Sequence, residues 1–518
     1  MTFLCVSIFV SDLAQAKRDM ARAAEAGADM VELRIDTFTE PHLVRQLMEE
    51  AILPAIVTCR PIWEGGRSTL SDEQRLELLG MACHGHTRFI DVELEAVRRG
   101  NDLPVGRPVI CSSHDFEGRP EKLHNLVLEM NHRPGAVNKI VWTARTVRDC
   151  IEAFELLASR NKPTIALCMG EAGVITRILA KKFGALLTFA CLDAGTAGAT
   201  APGQVTIETL KGLYRWDHIN PETRVYGVVA SPVKHSMSPA IHNAAFDAAG
   251  YDGVYLPLLV DGTYESFKAF MEMFVDFAPL HLSGLSVTLP HKENALRYLK
   301  EKGEGEGATI EPLALRIGAV NTIVIERRAA GGQPSAILHG YNSDYAAILD
   351  SITAALCITR DQLAGRSVGI MGAGGTGRTA LAALSHHGAR VTMYNRTLDR
   401  AKTLADEFGA SAASLDQLTS SRHDIYLNTT SIGMSPNIDQ SPFDEHMPQL
   451  SADTLVFDVV YNPPETKLLQ QAASAGAKTV SGVEMFVRQA VRQFELWTQR
   501  TAPAELMRAV VLKQLGRR

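Results

Sequence analysis

The alternation of short apolar runs with longer amphipathic stretches over residues 1–215 restricts the possible folds more than any other feature. Most segments between the runs can hold a helix, for example Leu13–Ala26 or Asp72–His84. A doubly wound sheet is the alternative for any such alternation, but eight repeats favour a TIM (β/α)8 barrel. The eight strand candidates are Leu4–Val10, Met30–Asp36, Ala55–Arg60, Phe89–Leu94, Val109–His114, Val137–Thr143, Thr164–Met169 and Leu187–Leu192.

A polar stretch, RWDHINPETR at 215–224, interrupts this pattern and predicts a linker at 216–223. A second α/β unit is predicted over 224–345. A buried run followed by glycines, SVGIMGAGG at 367–375, predicts a dinucleotide-binding Rossmann domain over 346–482. Helices are expected in 483–518, packed back on the second unit. Later strand candidates are Val225–Ala230, Val254–Leu259, Leu282–Thr288, Thr322–Glu326, Arg390–Tyr394, Asp424–Asn428, Leu455–Val460 and Thr479–Ser481.

Charge and cysteine content exclude several classes of protein. Fifty-two basic against 58 acidic residues give a net charge of −6, which offers no bulk attraction to nucleic acid or anionic membranes. No apolar run approaches the roughly 20 residues of a membrane-spanning helix, and no basic segment precedes Thr2–Val10 as in a signal peptide. None of the eight cysteines forms a CxxC, which predicts reduced thiols in a cytoplasmic protein. Cys83, His84 and His86 lack the spacing of a tetrahedral site, so no metal is predicted.

Polar side chains follow the predicted barrel strands, where the active site of a TIM barrel is built. Glu32 and Arg34 lie two residues apart on one strand and therefore share a face. The arginines predict an anionic substrate, because a guanidinium group binds a carboxylate in bidentate fashion. The residues at these strand ends are Glu32, Arg34, Arg60, Glu64, His114, Arg177 and Gln204.

Lys139 interrupts the apolar strand VNKIVW and shares a face with Val137 and Val141, so we expect it in the barrel lumen. Burial removes hydration from an ammonium group and makes the neutral amine accessible. Such an amine can attack a ketone and form a Schiff base, and a nearby base can then remove the acidified proton. His114, one strand away, is the candidate base. The alternative for Lys139 is a structural ion pair with a glutamate.

Six motifs occur in order over the first 210 residues: ELR at 32–34, CRPIWEGG at 59–66, SSHDF at 112–116, NKI at 138–140, GVITR at 173–177 and APGQ at 201–204. Together they resemble type I 3-dehydroquinate dehydratase. The resemblance implies a Schiff-base syn dehydration of 3-dehydroquinate with Lys139 as the imine lysine, His114 as general acid and base, and Glu64 as an orienting group. It also implies substrate binding by Glu32, Arg34, Arg60, Arg177, Thr200 and Gln204. Thr200 stands where the family usually has serine.

The segment Gly372-Ala373-Gly374-Gly375-Thr376-Gly377 fits G-x-G-x-x-G and stands between a buried strand and a predicted helix, Arg378–His387. A helix start of this kind binds a pyrophosphate through free backbone N–H groups. About 20 residues further on, an NAD site has an acidic residue, whereas this chain has Asn395, Arg396, Thr397 and Arg400. The arginines would attract a 2′-phosphate, so the sequence predicts NADP.

Lys292 and Asp344 could form a pair that passes a proton to a carbonyl or hydroxyl while a hydride moves; a surface ion pair is the alternative. Eight motifs surround them in order: SPVKHSMSP at 231–239, SVTLPHK at 286–292, GAVNT at 318–322, GYNSD at 340–344, GAGGTGR at 372–378, NRT at 395–397, NTTSIGM at 428–434 and GVEMFVRQ at 482–489. Together they resemble shikimate dehydrogenase over residues 224–500.

This second resemblance implies that Ser236 and Ser238 hold the substrate carboxylate and that Lys292 and Asp344 are catalytic. Further substrate contacts would come from Ser286, Thr288, Asn321, Tyr461 and Gln489, and Thr429 and Gly482 would join the NADP site. Ser286 stands where many members carry asparagine, as in the plant-like branch.

The dehydratase product is the dehydrogenase substrate, so the two resemblances support each other and predict a plant-like bifunctional enzyme of the shikimate pathway. Two alternatives remain. One is an NAD-dependent quinate/shikimate dehydrogenase fused to a dehydratase. The other is a catalytically silent regulator that senses quinate-type ligands, which would be expected to lose Lys139, His114, Lys292 or Asp344. Small-molecule substrates are the expected partners, as a monomer or homodimer.

Overall fold

The computed structural model describes residues 2–193, 203–234, 236–303, 307–330 and 333–516, which form three β-sheets flanked by helices. Within these ranges, no helix is both long and apolar enough to cross a membrane.

The first sheet is an eight-stranded, parallel and nearly closed barrel in the order β7-β6-β5-β4-β3-β2-β1-β8. A backbone hydrogen bond from Leu186 N to Thr164 O, 2.9 Å long, links its two ends. The predicted TIM barrel is thereby confirmed. Its strands are β1 Phe3–Phe9, β2 Met30–Arg34, β3 Ala55–Thr58, β4 Thr87–Glu93, β5 Val109–Asp115, β6 Val137–Thr143, β7 Thr164–Met169 and β8 Leu187–Ala190. Its helices are α1 Leu13–Glu25, α2 Pro41–Glu49, α3 Asp72–Met81, α4 Leu94–Arg98, α5 Leu123–His132, α6 Asp149–Ala158 and α7 Val174–Ile178.

The second sheet is mixed and has the strand order β10-β9-β11-β13-β14-β12. β13 pairs antiparallel with β11 and β14, while the other pairs are parallel. Its strands are β9 Arg224–Ala230, β10 Gly253–Leu259, β11 Leu282–Val287, β12 Ala308–Ile310, β13 Thr322–Ala330 and β14 Gln333–Tyr341. The helices of this part are α8 Ser238–Ala248, α9 Tyr264–Asp276, α10 Lys292–Lys302, α11 Pro312–Ile317 and α12 Ser343–Leu356.

The third sheet is parallel, with the doubly wound order β17-β16-β15-β18-β19-β20, and confirms the Rossmann prediction. Its strands are β15 Ser367–Met371, β16 Arg390–Asn395, β17 Ser411–Ser414, β18 Ile425–Asn428, β19 Leu455–Asp458 and β20 Lys478–Val480. The helices are α13 Gly375–His386, α14 Leu398–Phe408, α15 Lys467–Ser474, α16 Gly482–Thr498 and α17 Ala504–Gly516. Phe494, Trp497 and Met507 of the last two helices share a core with β9 and α8.

The contact between the barrel and the second unit extends beyond residues 215–224. Phe183, after α7, stacks on Phe277, after α9, with ring centroids 5.9 Å apart. The buried Lys182 ammonium donates to Thr223 O at 3.0 Å and lies 3.3 Å from His281 Nδ1. One hydrophobic cluster runs from the barrel into the second sheet. The polar stretch predicted as a linker is therefore not the sole contact between the barrel and the second unit, because apolar side chains outside it are buried between them.

Candidate active sites

All but one of the residues predicted for the barrel site line a single narrow cavity of about 50 Å³. It opens at the carboxyl ends of the strands, since parallel strands end at the same edge of the barrel. The predicted residues that line it are Glu32, Arg34, Arg60, Glu64, His114, Lys139, Arg177 and Gln204. Thr200, the remaining one, lies outside the described residues.

Lys139 lies in the lumen as predicted, with only 4% of its surface exposed. Its Nζ donates to Asp91 Oδ2 at 2.9 Å and to Glu32 Oε1 at 3.3 Å, and lies 4.6 Å from the centroid of the Phe189 ring. The amine is therefore buried and also faces two carboxylates, which combines the Schiff-base expectation with its ion-pair alternative. A carboxylate beside the amine can accept the proton that the amine must lose before it attacks a carbonyl.

Asp91 and Glu93 are fully buried on β4 and were not among the residues predicted for this site. Arg60 donates to Asp91 Oδ1 at 2.6 Å and to Glu93 Oε1 at 2.8 Å. Burial by itself would raise the pKa of Asp91, but the cations Arg60 and Lys139 hold that pKa below its usual range. Two acidic residues at alternate positions of an apolar strand, IDVE, were the signal that could have identified them.

Glu64 and His114 form a buried pair at the mouth of the cavity. Oε1 of Glu64 accepts a hydrogen bond from the backbone N–H of His114 at 2.9 Å and lies 3.0 Å from its Nδ1. Burial raises the pKa of Glu64 to about 8, and Glu93 and Asp91 act in the same direction against Arg60. Burial, together with Arg60 and Lys139, lowers the pKa of His114 well below its usual value. At neutral pH the imidazole is therefore neutral, as a general base must be.

The three arginines of the cavity differ in their partners. Arg34 forms an ion pair with Asp36 at 2.7 Å, and Arg60 is held by Asp91 and Glu93. Arg177 is 2% exposed, and its buried Nε has no hydrogen-bond partner among the described residues. Burial lowers the pKa of Arg177 to about 10. An incompletely paired, buried guanidinium group is suited to an anionic ligand, because a carboxylate would satisfy it.

A second cavity, of about 370 Å³, lies between the second sheet and the Rossmann domain. It collects all the residues predicted to contact the substrate there, together with one from the Rossmann turn, Thr376. The predicted residues that line it are Ser236, Ser238, Ser286, Thr288, Lys292, Asn321, Asp344, Tyr461, Gly482 and Gln489.

Lys292 and Asp344 form an ion pair in this cavity, with Nζ 2.6 Å from Oδ2. Lys292 is the first residue of α10, and Asp344 lies in the first turn of α12. Their side chains are only 14% and 7% exposed, so the pair is not the surface ion pair of the alternative interpretation. A lysine and an aspartate in direct contact can exchange a proton with a substrate oxygen.

The neighbouring polar residues are held by contacts of their own. The Asn321 side chain forms two hydrogen bonds with Ser343. Its Nδ2 donates to Ser343 Oγ at 3.0 Å, and its Oδ1 accepts from the backbone N–H of Ser343 at 2.8 Å. These bonds hold the start of β13 against α12. Tyr461 stacks on Phe486 with 4.7 Å between the ring centroids. Tyr255 is fully buried, and its hydroxyl contacts Ser286 Oγ. Tyr255 was not among the residues predicted for this site. The substrate side is thus largely preorganised.

The glycine-rich turn joins β15 to α13, which is the predicted context. Gly372 has φ +106°, and a Cβ on Gly377 would lie 2.1 Å from Gly372 O, so both positions require glycine. A Cβ on Gly374 or Gly375 would meet nothing within 4 Å, so the turn faces open space at the start of the helix. The geometry fits a pyrophosphate bound by backbone N–H groups.

The residues predicted to bind the 2′-phosphate of NADP lie on the next βα turn. Asn395 ends β16, and its Oδ1 accepts the Ala373 N–H at 3.3 Å, which ties the two turns together. Arg396 and Arg400 are exposed beside it, and the strand ends without a carboxylate. Thr429 Oγ1 donates to Met371 O at 2.9 Å and so supports the glycine turn from β18. These residues fit a 2′-phosphate better than a free ribose hydroxyl.

Comparison with known proteins agrees with both sites. Residues 4–221 match the family of type I 3-dehydroquinase, and residues 228–323 match the shikimate dehydrogenase substrate binding domain. Residues 355–473 match shikimate / quinate 5-dehydrogenase, and residues 482–512 match the shikimate 5′-dehydrogenase C-terminal domain.

The bifunctional 3-dehydroquinate dehydratase/shikimate dehydrogenase, chloroplastic, of Arabidopsis thaliana is 37% identical over 99% of this chain and 84% of its own length. The NADP(+) shikimate dehydrogenase of Methanosarcina acetivorans is 37% identical over 56% of this chain and 99% of its own. The Thermus thermophilus shikimate 5-dehydrogenase structure with NADP(H) and shikimate is 30% identical, covers 56% of this chain and 99% of its own, and has a TM-score of 0.47. The chain therefore belongs to the family of bifunctional type I 3-dehydroquinate dehydratase/shikimate dehydrogenases.

Proposed function

We propose that the barrel dehydrates 3-dehydroquinate and that the second site reduces the product, 3-dehydroshikimate, to shikimate with NADPH. The observation that carries this proposal is the presence of two complete constellations in one chain. Lys139 and His114 line the barrel cavity, and Lys292 and Asp344 line the cavity beside the glycine-rich turn. A silent regulator would not need to keep all four groups.

In the barrel, the Lys139 amine attacks the ketone carbon of the substrate, and water leaves as the imine forms. The imine acidifies the adjacent carbon, and His114 takes a proton from it as general base. His114 then gives that proton to the departing hydroxyl group, which leaves as water. Hydrolysis of the imine releases 3-dehydroshikimate and restores the amine. Glu64 orients His114 through the 3.0 Å contact to Nδ1.

Substrate binding in the barrel follows from the charges around the cavity. Arg177 receives the carboxylate, because among the three arginines that line the cavity it alone has a buried Nε without a hydrogen-bond partner in the described part of the chain. Gln204 and Thr200 assist it from the following segment. Glu32, Arg34 and Arg60 contact the hydroxyl groups and hold the ring above Lys139.

In the second site, Ser236 and Ser238 hold the substrate carboxylate, and Lys292 and Asp344 place a proton on the carbonyl oxygen as it becomes a hydroxyl. Bound NADPH supplies the hydride for this reduction. The remaining hydroxyl contacts come from Ser286, Thr288, Asn321, Tyr461 and Gln489. The turn 372–377 holds the pyrophosphate with Gly482 and Thr429 nearby, and Asn395, Arg396, Thr397 and Arg400 hold the adenosine end with its 2′-phosphate.

We propose a cytoplasmic protein that acts as a monomer or homodimer. All eight cysteines lie in the described part of the chain, are unbridged and mostly buried, which supports a reducing compartment. The Arabidopsis relative is named as chloroplastic, so a location experiment with the tagged protein is the appropriate test.

A coupled assay tests the proposal directly. Protein mixed with 3-dehydroquinate and NADPH should consume NADPH without any added dehydratase, because the first site supplies the substrate of the second. The same assay with 3-dehydroshikimate isolates the reductase. Runs with NADH, and with quinate and NAD⁺ in the reverse direction, address the quinate dehydrogenase alternative. No loss of NADPH absorbance with either substrate would exclude the bifunctional mechanism.

A further inference from the structure

A buried chain of alternating charges extends from the Schiff-base lysine away from the cavity. Lys139 pairs with Asp91 at 2.9 Å, and Asp91 pairs with Arg60 at 2.6 Å. Arg60 pairs in turn with Glu93 at 2.8 Å. Glu93 does not line the cavity, so the chain continues behind the groups that face the substrate.

The next member of the chain is Arg75 on α3, which is fully buried. Its Nη1 lies 2.7 Å from Glu93 Oε2, so the Glu93 carboxylate bridges two arginines, one on each oxygen. The chain then ends at the surface, where Asp72 accepts from Arg75 at 2.8 Å and from the half-exposed Arg99 at 2.9 Å.

Arg75 also contacts the segment that carries Arg60 and Glu64. Its Nη1 donates to Cys59 O at 2.9 Å, immediately before Arg60. Its guanidinium carbon lies 5.9 Å from the centroid of the Trp63 ring, one residue before Glu64. The Arg75 side chain, which lies outside the cavity, therefore contacts the residues that immediately precede Arg60 and Glu64.

We propose that Arg75 is a positioning residue for the dehydration, which with Glu93 fixes Arg60 and sets the charge that acts on the Glu64–His114 pair. The proposal rests on the proposed function of the barrel. Arg75 compensates one oxygen of Glu93, so Arg60 is not the sole counter-charge to that buried carboxylate. The charged groups that act most strongly on Glu64 or His114 are Arg60, Lys139, Asp91, Glu93 and Arg34, and Arg75 is linked to them through Glu93 and Arg60.

The sign of the effect follows from Coulomb's law. Arg75→Gln removes a positive charge and leaves Glu93 partly uncompensated, which stabilises the protonated form of the pair. Glu93→Gln removes a negative charge and has the opposite effect. Glu64 and His114 are in direct contact, so the acid limb of the pH–rate profile for dehydration should report the change.

The experiment compares the full-length single variants Arg75→Gln and Glu93→Gln with the double variant. We expect Arg75→Gln to move the acid limb upward by on the order of half a pH unit or more, and Glu93→Gln to move it downward. The double variant should return near the wild-type position, since a neutral pair replaces a buried ion pair. Arg99→Gln is the matched control, because Arg99 shares Asp72 and the Trp63 ring with Arg75 but has no contact with Glu93.

Reductase activity in the same chain controls for concentration, and the melting temperature of the barrel controls for its folding. If the wild-type protein has no dehydratase activity, the proposed function of the barrel is wrong. The proposal on Arg75 is wrong if the protein is active but the variants do not change its pH–rate profile. Lower thermal stability and unchanged pH profiles in all variants would show a purely structural role and overturn it. If Arg75→Gln does not fold, Glu93→Gln and the double variant still decide, since the same acid limb in both would show that the Arg75 charge has no effect and would overturn the proposal.

Discussion

At the scale of single residues, the role of Lys139 as the imine lysine can be tested most directly, because its amine faces Asp91 and Glu32 inside the barrel cavity. We predict that borohydride added with 3-dehydroquinate leaves a stable adduct on Lys139, found by mass spectrometry, because reduction traps the imine. His114→Ala should still form the adduct but turn over about 10²–10⁴-fold more slowly, since the general base is lost and the nucleophile is kept.

Lys139→Arg is the matched variant for this prediction, because it keeps a positive charge near Asp91 but has no amine that forms an imine. It should give neither adduct nor dehydration while the reductase stays active. An adduct on another residue, or an active enzyme that forms none, would contradict the assignment of Lys139.

Glu64 gives a prediction about stability. Its pKa is raised to about 8 in the folded protein against an ordinary 4.5, because burial disfavours the carboxylate. The folded state therefore binds more protons than the unfolded state between these values, and Glu64 destabilises the barrel increasingly as the pH rises through this range. Glu64→Gln, which cannot ionise, should increase the free energy of unfolding of the barrel more at pH 8 than at pH 5, by up to about 4 kcal/mol. Its melting temperature should therefore rise more at pH 8. A gain independent of pH in thermal unfolding would refute this.

Arg396 gives a prediction about cofactor choice. It is exposed directly after β16, where a 2′-phosphate is expected, and a charge-assisted hydrogen bond contributes about 1.5–3 kcal/mol. Arg396→Ala should therefore raise the Michaelis constant for NADPH by on the order of 10- to 100-fold and leave that for NADH nearly unchanged.

Dehydratase activity controls for protein concentration in this variant, and the unchanged Michaelis constant for NADH shows that the Rossmann domain is folded. Arg396→Lys should keep part of the preference because the charge remains. A wild type that prefers NADH, or a variant that weakens both cofactors equally, would mean that Arg396 contacts the adenine and not the phosphate.

At the scale of elements, the barrel was predictable because most of its strands are short, largely apolar runs separated by segments that can hold a helix. Val137–Thr143 and Thr164–Met169 match their predictions at both ends. The strands that escaped prediction have weak patterns. β17 is SAAS, β12 has three residues, and β14 follows two glycines and contains a proline. Their pairing depends on neighbours in the sheet, which local sequence does not encode.

Elements also explain which site residues the sequence revealed. Glu32, His114 and Lys139 stand on parallel strands, whose carboxyl ends must converge. Arg75 lies on α3, where an arginine between charged and polar residues, in the pattern DEQRLELL, is typical of a solvated face. Arg75 is completely buried because it pairs with Glu93 on strand β4. No local sequence pattern indicates this tertiary contact.

At the scale of the whole molecule, the barrel and the second unit are joined by a real interface. The Lys182 ammonium reaches backbone carbonyls of the linker and His281. Burial lowers the pKa of Lys182 to about 8, so the interface holds a cation at some cost in stability. The aromatic stack of Phe183 on Phe277 lies beside it and buries surface that separate domains would expose to water.

This interface changes what we expect of the separated halves. Residues 1–218 should still dehydrate 3-dehydroquinate and residues 219–518 should still reduce 3-dehydroshikimate, because each cavity is lined by residues from one half. The isolated barrel, however, should melt several degrees below its transition in the full chain, since Phe183 and Lys182 lose their partners. In the full chain, Phe277→Ala should lower the free energy of unfolding of the barrel by about 1–3 kcal/mol, because Phe277 is only partly buried. Phe408→Ala on the distant α14 should not lower it. Differential scanning calorimetry, with each activity followed after heating, distinguishes the two transitions. Equal melting temperatures for the free and fused barrel would show that the stack contributes nothing, and that the polar stretch alone connects two independent enzymes.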